Sequence, residues 1–388
     1  MKTLASSCWV GFLLVGCATP PPGQSWQHTG DPIVDGKAAI EFGPKRDRVL
    51  WEYRTAAAAM RRGEFVEAKR LLDDALVTLG GIYGPDKDAK RARSYFSPEA
   101  KKTFIGEPYE RVMAYYYRGI LYWIDGEPDN ARACFRSAQI MDSDTENKTY
   151  SSDYALLDYL DGLATAQLGG DGSDALKRAE AEFRMSQPPE FDPKANVLFF
   201  VEFGNGPTKY ATGQYGEQLR FLPGSSMVRS VRIKVDNQTL RAEPDDDLTF
   251  QATTRGGRVM DHVLANKAVF KSATDAAGNA AIISGAILAS RQGRHSAADE
   301  VGVGLLAAGV ISKIFSAATT PAADTRAWDN LPQYLSFAST RLAPGQHNVT
   351  VEFLDASGGP MPQLTRSVAI NVSDPARDTV IFVSDKNQ

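Results

Sequence analysis

The sequence predicts an α+β multidomain chain, with an N-terminal α-helical array followed by a β-sandwich-like domain that carries an Ala/Gly-rich helical insert. Three observations predict it. From Arg48 to Pro188 apolar residues recur at helical spacing, in runs broken at Gly63, Gly126 and Gly169. Beyond Pro188-Pro189 the pattern changes to strands, beginning with Val197 to Phe203, VLFFVEF. Between the β stretches, residues 257–318 are dense in Ala and Gly. A chain of 388 residues, 43% apolar and 23% charged, has room for two or more globular domains of roughly 100–200 residues each.

The first residues give an address. Met1 to Cys17 reads MKTLASSCWVGFLLVGC, with Lys2 as a positive n-region and Trp9 to Val15 as a short apolar h-region. That run is too short to span a bilayer and reads as a secretory signal over residues 1–16. Leu14-Val15-Gly16-Cys17 resembles the lipobox of bacterial lipoproteins. The resemblance implies cleavage before Cys17, which then carries a thioether-linked diacylglycerol and an N-acyl chain such as palmitate. Two or more chains hold a protein on a membrane without a transmembrane helix. Ala18, where an Asp would cause inner-membrane retention, implies the outer membrane, facing the periplasm. Residues 17–44 are Pro/Gly-rich at first and read as a flexible tether.

Residues 45–190 form the helical domain. Counting Val112 as one, Gly119, Tyr122, Ala131, Phe135 and Ala138 fall at eight, eleven, twenty, twenty-four and twenty-seven. These small and large positions resemble a tetratricopeptide repeat, in which small residues let two antiparallel helices approach and large ones fill the space beside them. The same frame places Ala56, Ala59, Ala68, Leu72 and Ala75 in a first unit, and a third runs from Tyr154 to about Met185. The insert from Gly80 to about Pro108 carries Lys87, Lys90, Arg91, Arg93, Lys101 and Lys102, read as a solvated face. Tyr115, Tyr116, Tyr122 and Trp123 crowd one helix and are candidate partner-binding residues. Because consecutive residues cannot share a helix face, some of them belong to the core. Cys134, beside Phe135, reads as a small core residue.

Residues 191–388 form the β-rich domain. Val231, Ile233 and Val235 alternate with Arg232, Lys234 and Asp236, as in a strand with one face in water. His347 to Phe353, Arg366 to Val372 and Thr379 to Val383 are further strands. Within the insert, Val301 to Ala318 is apolar apart from Ser312, Lys313 and Ser316, and is read either as a packed helix over the sheet or as a membrane-inserting one. In AADTRAWDNLP, Arg326 and Trp328 are candidate ligand-loop residues, alternatively a carboxylate partner and a plug between the helical insert and the sandwich.

Several function classes are excluded. Forty-three basic against 47 acidic residues give a net charge of −4, without the basic excess that nonspecific nucleic-acid binding needs. Three cysteines and four scattered histidines imply no disulfide scaffold and no zinc site. Glu243 to Asp247, EPDDD, lacks calcium-loop spacing and reads as a solvated turn. No hydrolase, P-loop, zinc-protease or Rossmann fingerprint occurs, so neither enzymatic activity nor a metal, cofactor or small-molecule ligand is expected.

Gly106 to Met113 (GEPYERVM), Gly204 to Lys209 (GNGPTK), Phe250 to Asp261 (FQATTRGGRVMD), Asp324-Thr325-Arg326, Trp328 and Leu331-Pro332 together resemble a group of tetratricopeptide-containing bacterial lipoproteins. Relatives encoded beside small lipoproteins that resemble activators of peptidoglycan synthases imply a cell-envelope role. The expectation is a scaffold, anchored through Cys17, that binds an envelope protein through its repeats. The alternatives are an accessory activator of peptidoglycan-processing enzymes, or an export or assembly component using Val301 to Ala318.

Overall fold

The structure is a computed structural model and describes residues 28–83, 102–143, 148–254, 322–374 and 377–386. Residues 17–27 of the tether, Cys17 among them, the basic insert from 84 to Lys101 and the Ala/Gly-rich run Val301 to Ala318 lie outside the described residues. The chain is α+β, helical before Pro188 and largely strand after it.

Asp31 precedes the first helix. Its side chain accepts the N–H groups of Ile33 and Val34 and caps α1 (Pro32–Phe42), whose first residue is a proline. The expected tether to residue 44 is therefore corrected: from Pro32 on, the segment is a helix, with Ile33 and Ala39 buried. It packs so closely that a Cβ on Gly36 would come within 2.0 Å of Thr55 Oγ1.

Among the described residues three helical hairpins follow: α2 (Arg48–Arg62) with α3 (Phe65–Tyr83), α4 (Pro108–Ile124) with α5 (Pro128–Asp142), and α6 (Ala155–Gln167) with α7 (Ser173–Glu182). The first helix of each ends at the glycine read from the sequence, and Gly63, Gly126 and Gly169 all have positive φ, 73°, 80° and 80°. Small-on-large contact sets the helix spacing. A Cβ on Gly119 would lie 2.5 Å from Phe135 Cε1, and one on Gly162 would lie 2.7 Å from Leu176 Cγ. Cys134 is a free, buried thiol, and burial pushes it up to about 11.

Among the described residues ten strands follow: β1 (Val197–Phe203), β2 (Thr208–Thr212), β3 (Gln218–Leu222), β4 (Ser230–Val235), β5 (Gln238–Ala242), β6 (Asp246–Asp247), β7 (Tyr334–Thr340), β8 (Gly345–Leu354), β9 (Arg366–Val372) and β10 (Thr379–Ser384). One sheet has the order β10-β1-β7-β6, with β1 parallel to β10 and antiparallel to β7. A second, antiparallel throughout, has the order β5-β4-β8-β9, and β2-β3 is a separate hairpin. A short helix, α8 (Leu248–Thr253), follows β6, capped by Asp247.

The first sheet is buried on both faces. On β1, Val197, Phe199, Val201 and Phe203 meet the second sheet, while Leu198 and Phe200 join the core of the helices. On β7, Leu335 and Phe337 take the helical side and Tyr334 and Ala338 the other. On β10, Val380 and Phe382 alternate with Ile381 and Val383 in the same way. This two-sided burial explains why VLFFVEF is apolar at every position but Glu202, whose carboxylate pairs with Arg61. The second sheet has one wet face, where Glu352 pairs with Lys234 (2.6 Å) and Arg232 (3.1 Å), as its alternation implies. The change of pattern near residue 190 thus marks a change of secondary structure, while one hydrophobic core runs across it.

Candidate functional site

The aromatic residues singled out on α4 mostly face inward. Tyr116 and Trp123 are fully buried, with ring centroids 6.3 and 6.0 Å from Phe200 of β1. Tyr117, beside them, meets Phe382 at 6.0 Å. As docking residues, Tyr116 and Trp123 are corrected: their partner is the chain's own sheet. Tyr115 and Tyr122 are partly buried, and the Arg118 guanidinium lies 3.5 Å over the Tyr122 ring.

Arg326 and Trp328 also belong to an internal joint. Arg326 pairs with Asp324 (2.6 Å) and Asp47 (2.7 Å), and donates to the Lys102 carbonyl at 3.0 Å. Trp328 is buried and stacks on Tyr53 of α2, centroids 4.4 Å apart. The described plug therefore closes against α2 and α4. Lys102, expected on a solvated face, is itself buried.

The segments GEPYERVM, GNGPTK and ADTRAW converge on one buried carboxylate, Glu110. Its Oε2 accepts from Lys209 Nζ at 2.5 Å and from the Glu107 N–H at 2.6 Å, and its Oε1 accepts from the Trp328 N–H at 2.6 Å. Lys209 also donates to the Arg326 carbonyl at 3.0 Å. Glu110 and Lys209 are essentially inaccessible, so this knot holds the N-terminus of α4, β2 and the 324–328 segment in register.

What opens to solvent is a cleft of about 440 Å³ at the edge where helices and first sheet meet. The α4–α5 turn, the C-terminal end of α6, residues 193–195 and the 377–378 segment line it. Asp378 anchors its floor, accepting from Trp123 Nε1 at 2.6 Å and, at 3.4 Å, from Gln167 Nε2. Burial pushes the Asp378 carboxyl up. Gln167 Nε2 also donates to the Ala195 carbonyl at 3.0 Å, and its buried Oε1 has no hydrogen-bond partner. Exposed Arg377 lies on Gly126, where a Cβ would meet its Nε at 2.8 Å, and donates to the Asp125 carbonyl at 2.9 Å. That glycine therefore supplies both the turn and the seat for the guanidinium. Exposed Lys194 adds a second positive charge to the lining.

No family model matches the chain, and no curated protein or solved structure matches it significantly.

The cleft thus combines two exposed cationic side chains with the half-buried Asp378 carboxyl and the buried Gln167 amide oxygen. Among the described residues no group of three His, Cys, Asp or Glu could hold a metal ion, and no helix is long and apolar enough to cross a membrane. The sequence pointed to Trp123 and missed Gln167, Lys194, Arg377 and Asp378. They belong to three separate segments, and no spacing rule connects them.

The EPDDD reading is corrected as well. Asp245 and Asp246 are buried. Asp245 accepts from the Phe337 N–H at 2.7 Å, and Asp246 accepts from the Leu156 N–H at 3.0 Å, at the start of α6. The acidic run fastens β6 between β7 and the third hairpin.

Proposed function

We propose that this protein is a lipid-anchored periplasmic scaffold of the cell envelope, held on the outer membrane through Cys17 and binding an envelope protein. In this reading the three hairpins are tetratricopeptide-like units and the two facing sheets are a β-sandwich. The observation that carries the reading is the open cleft beside Trp123, with Arg377 and Lys194 on its lining. Tyr116, Tyr117 and Trp123 are covered by Phe200 and Phe382 and do not reach a partner. The partner therefore engages the cleft, presenting acidic side chains to the two cations. Support for the hairpin type comes from Gly119 against Phe135 and Gly162 against Leu176, at the small and large positions of the repeat frame.

Site-specific photocrosslinking from position 194 in native envelopes tests the reading. A discrete crosslinked protein is expected, and it should be lost with Arg377→Glu. Crosslinking that persists unchanged in that variant overturns the cleft as the docking site. Fractionation of Cys17→Ala tests the anchor: the variant should leave the membrane fraction, and retention overturns lipid anchoring.

A further inference from the structure

A second, smaller pocket of about 170 Å³ lies between the end of α7, Asp153 just ahead of α6, β6 and α8. Five carboxylates line it, Asp153, Glu182, Asp245, Asp246 and Asp247, with one guanidinium, Arg184. Arg184 is already committed: it donates to Asp153 at 2.8 Å and Glu182 at 2.6 Å, and lies 4.8 Å over the Phe250 ring. Asp245, Asp246 and Asp247 are instead held by neutral donors, the N–H groups of Phe337, Leu156 and Thr249.

An independent observation comes from Gln251 on α8. It lines the same pocket and is 2% exposed, yet its Oε1 has no hydrogen-bond partner. A buried carbonyl oxygen left unpaired is unfavourable, and a ligand donor would relieve it. Acid-rich walls and an empty acceptor together call for a cation that donates hydrogen bonds.

We propose that this pocket binds a primary ammonium group, accepted by Gln251 Oε1 and neutralised by the surrounding carboxylates. The volume suits about six heavy atoms, at roughly 30 Å³ for each water-sized unit. A quaternary ammonium has no N–H and would leave Gln251 unpaired. No metal-holding group occurs among the described residues. The ammonium could belong to a free amine or to a lysine side chain of a partner, and the chemistry of recognition is the same.

Binding should release protons. Burial holds Asp246 up to about 7, with Asp153 and Asp142 facing it, and holds Asp245 well above the usual carboxylate range, with Asp246 and Glu243 near it. An entering cation favours the ionised forms.

The test is isothermal titration calorimetry of the full-length protein at pH 7. The probes are 1,4-diaminobutane and Nα-acetyl-lysine amide, with 1,4-butanediol and tetramethylammonium as controls. One saturable site is expected for the ammonium probes and none for the controls. The heat should differ between phosphate and Tris in the sense of proton release. Gln251→Met and Glu182→Gln should each weaken binding at least tenfold with unchanged circular dichroism. The Glu182 side chain is 32% exposed, so its replacement decides the matter if Gln251→Met fails to fold. Tighter lysine-amide binding assigns the site to a partner's side chain, and tighter diamine binding assigns it to a free amine. Failure of both amines to saturate, or equal binding of the diol, overturns the proposal.

Discussion

Arg61 of α2 donates its Nε to Oε1 of Glu202 on β1 at 2.6 Å, with the two side chains 6% and 1% exposed. The other carboxylate oxygen accepts from the Tyr117 hydroxyl at 2.5 Å, and Arg61 also donates to the Asn330 carbonyl at 2.7 Å. Two helices, the central strand and the 324–331 segment are thus tied through one buried carboxylate. Removing one partner of such a pair leaves an uncompensated buried charge. Glu202→Ala should therefore destabilise the fold by about 3–5 kcal/mol in urea unfolding. A loss under 1 kcal/mol would show that the joint does not hold the layers together.

Gly119 separates packing from helix propensity. By propensity, Gly→Ala within a helix stabilises by about 1 kcal/mol. Here the new Cβ would meet Phe135 at 2.5 Å. Overpacking of this kind is unfavourable by about 1–3 kcal/mol, so Gly119→Ala should lower the melting temperature. A rise would mean that α4 and α5 can separate without loss.

Trp328 fills the joint between the 324–331 segment, α2 and α4. Trp328→Ala should destabilise by about 3–5 kcal/mol, because the residue is 1% exposed and stacked on Tyr53. Urea unfolding of the variant reads this directly, and a change within 1 kcal/mol would place the ring outside the core.

Stability should respond to the buried acidic run. Burial raises Asp246 from 3.8 to about 7, so between these values the folded chain binds more protons than the unfolded one. The sign is then fixed: this group's contribution is fully present below about 3.8 and is lost as pH rises towards 7. Asp246→Asn can still accept from the Leu156 N–H but cannot ionise. Urea midpoints between pH 4.5 and 7.5 should fall less steeply for the variant. Parallel curves would contradict the assignment.

Cys134 should resist modification in the folded protein, since burial pushes its thiol up to about 11 and the thiolate is the reactive form. Mass spectrometry of the peptide containing Cys134 after iodoacetamide treatment at pH 8 should show labelling about 100-fold slower in buffer than in urea. Comparable rates would show that α5 opens readily.

What the sequence determined by itself was local. Helix-ending glycines at 63, 126 and 169 were legible because positive φ excludes most other residues, and strands of the second sheet were legible because a half-buried sheet imposes period two. The runs Val197 to Phe203 and Arg366 to Val372 were read with the observed bounds. Tertiary structure alone decided which faces meet. Tyr116 and Trp123 look like groove residues until Phe200 covers them, and Asp245 and Asp246 look solvated until β6 pairs with β7. Asp378 reaches Trp123 across 255 positions, and Lys209 reaches Glu110 across 99. Such pairings follow from how the layers pack, and burial then sets the charge, the hydrogen-bond partners and the chemistry of each side chain.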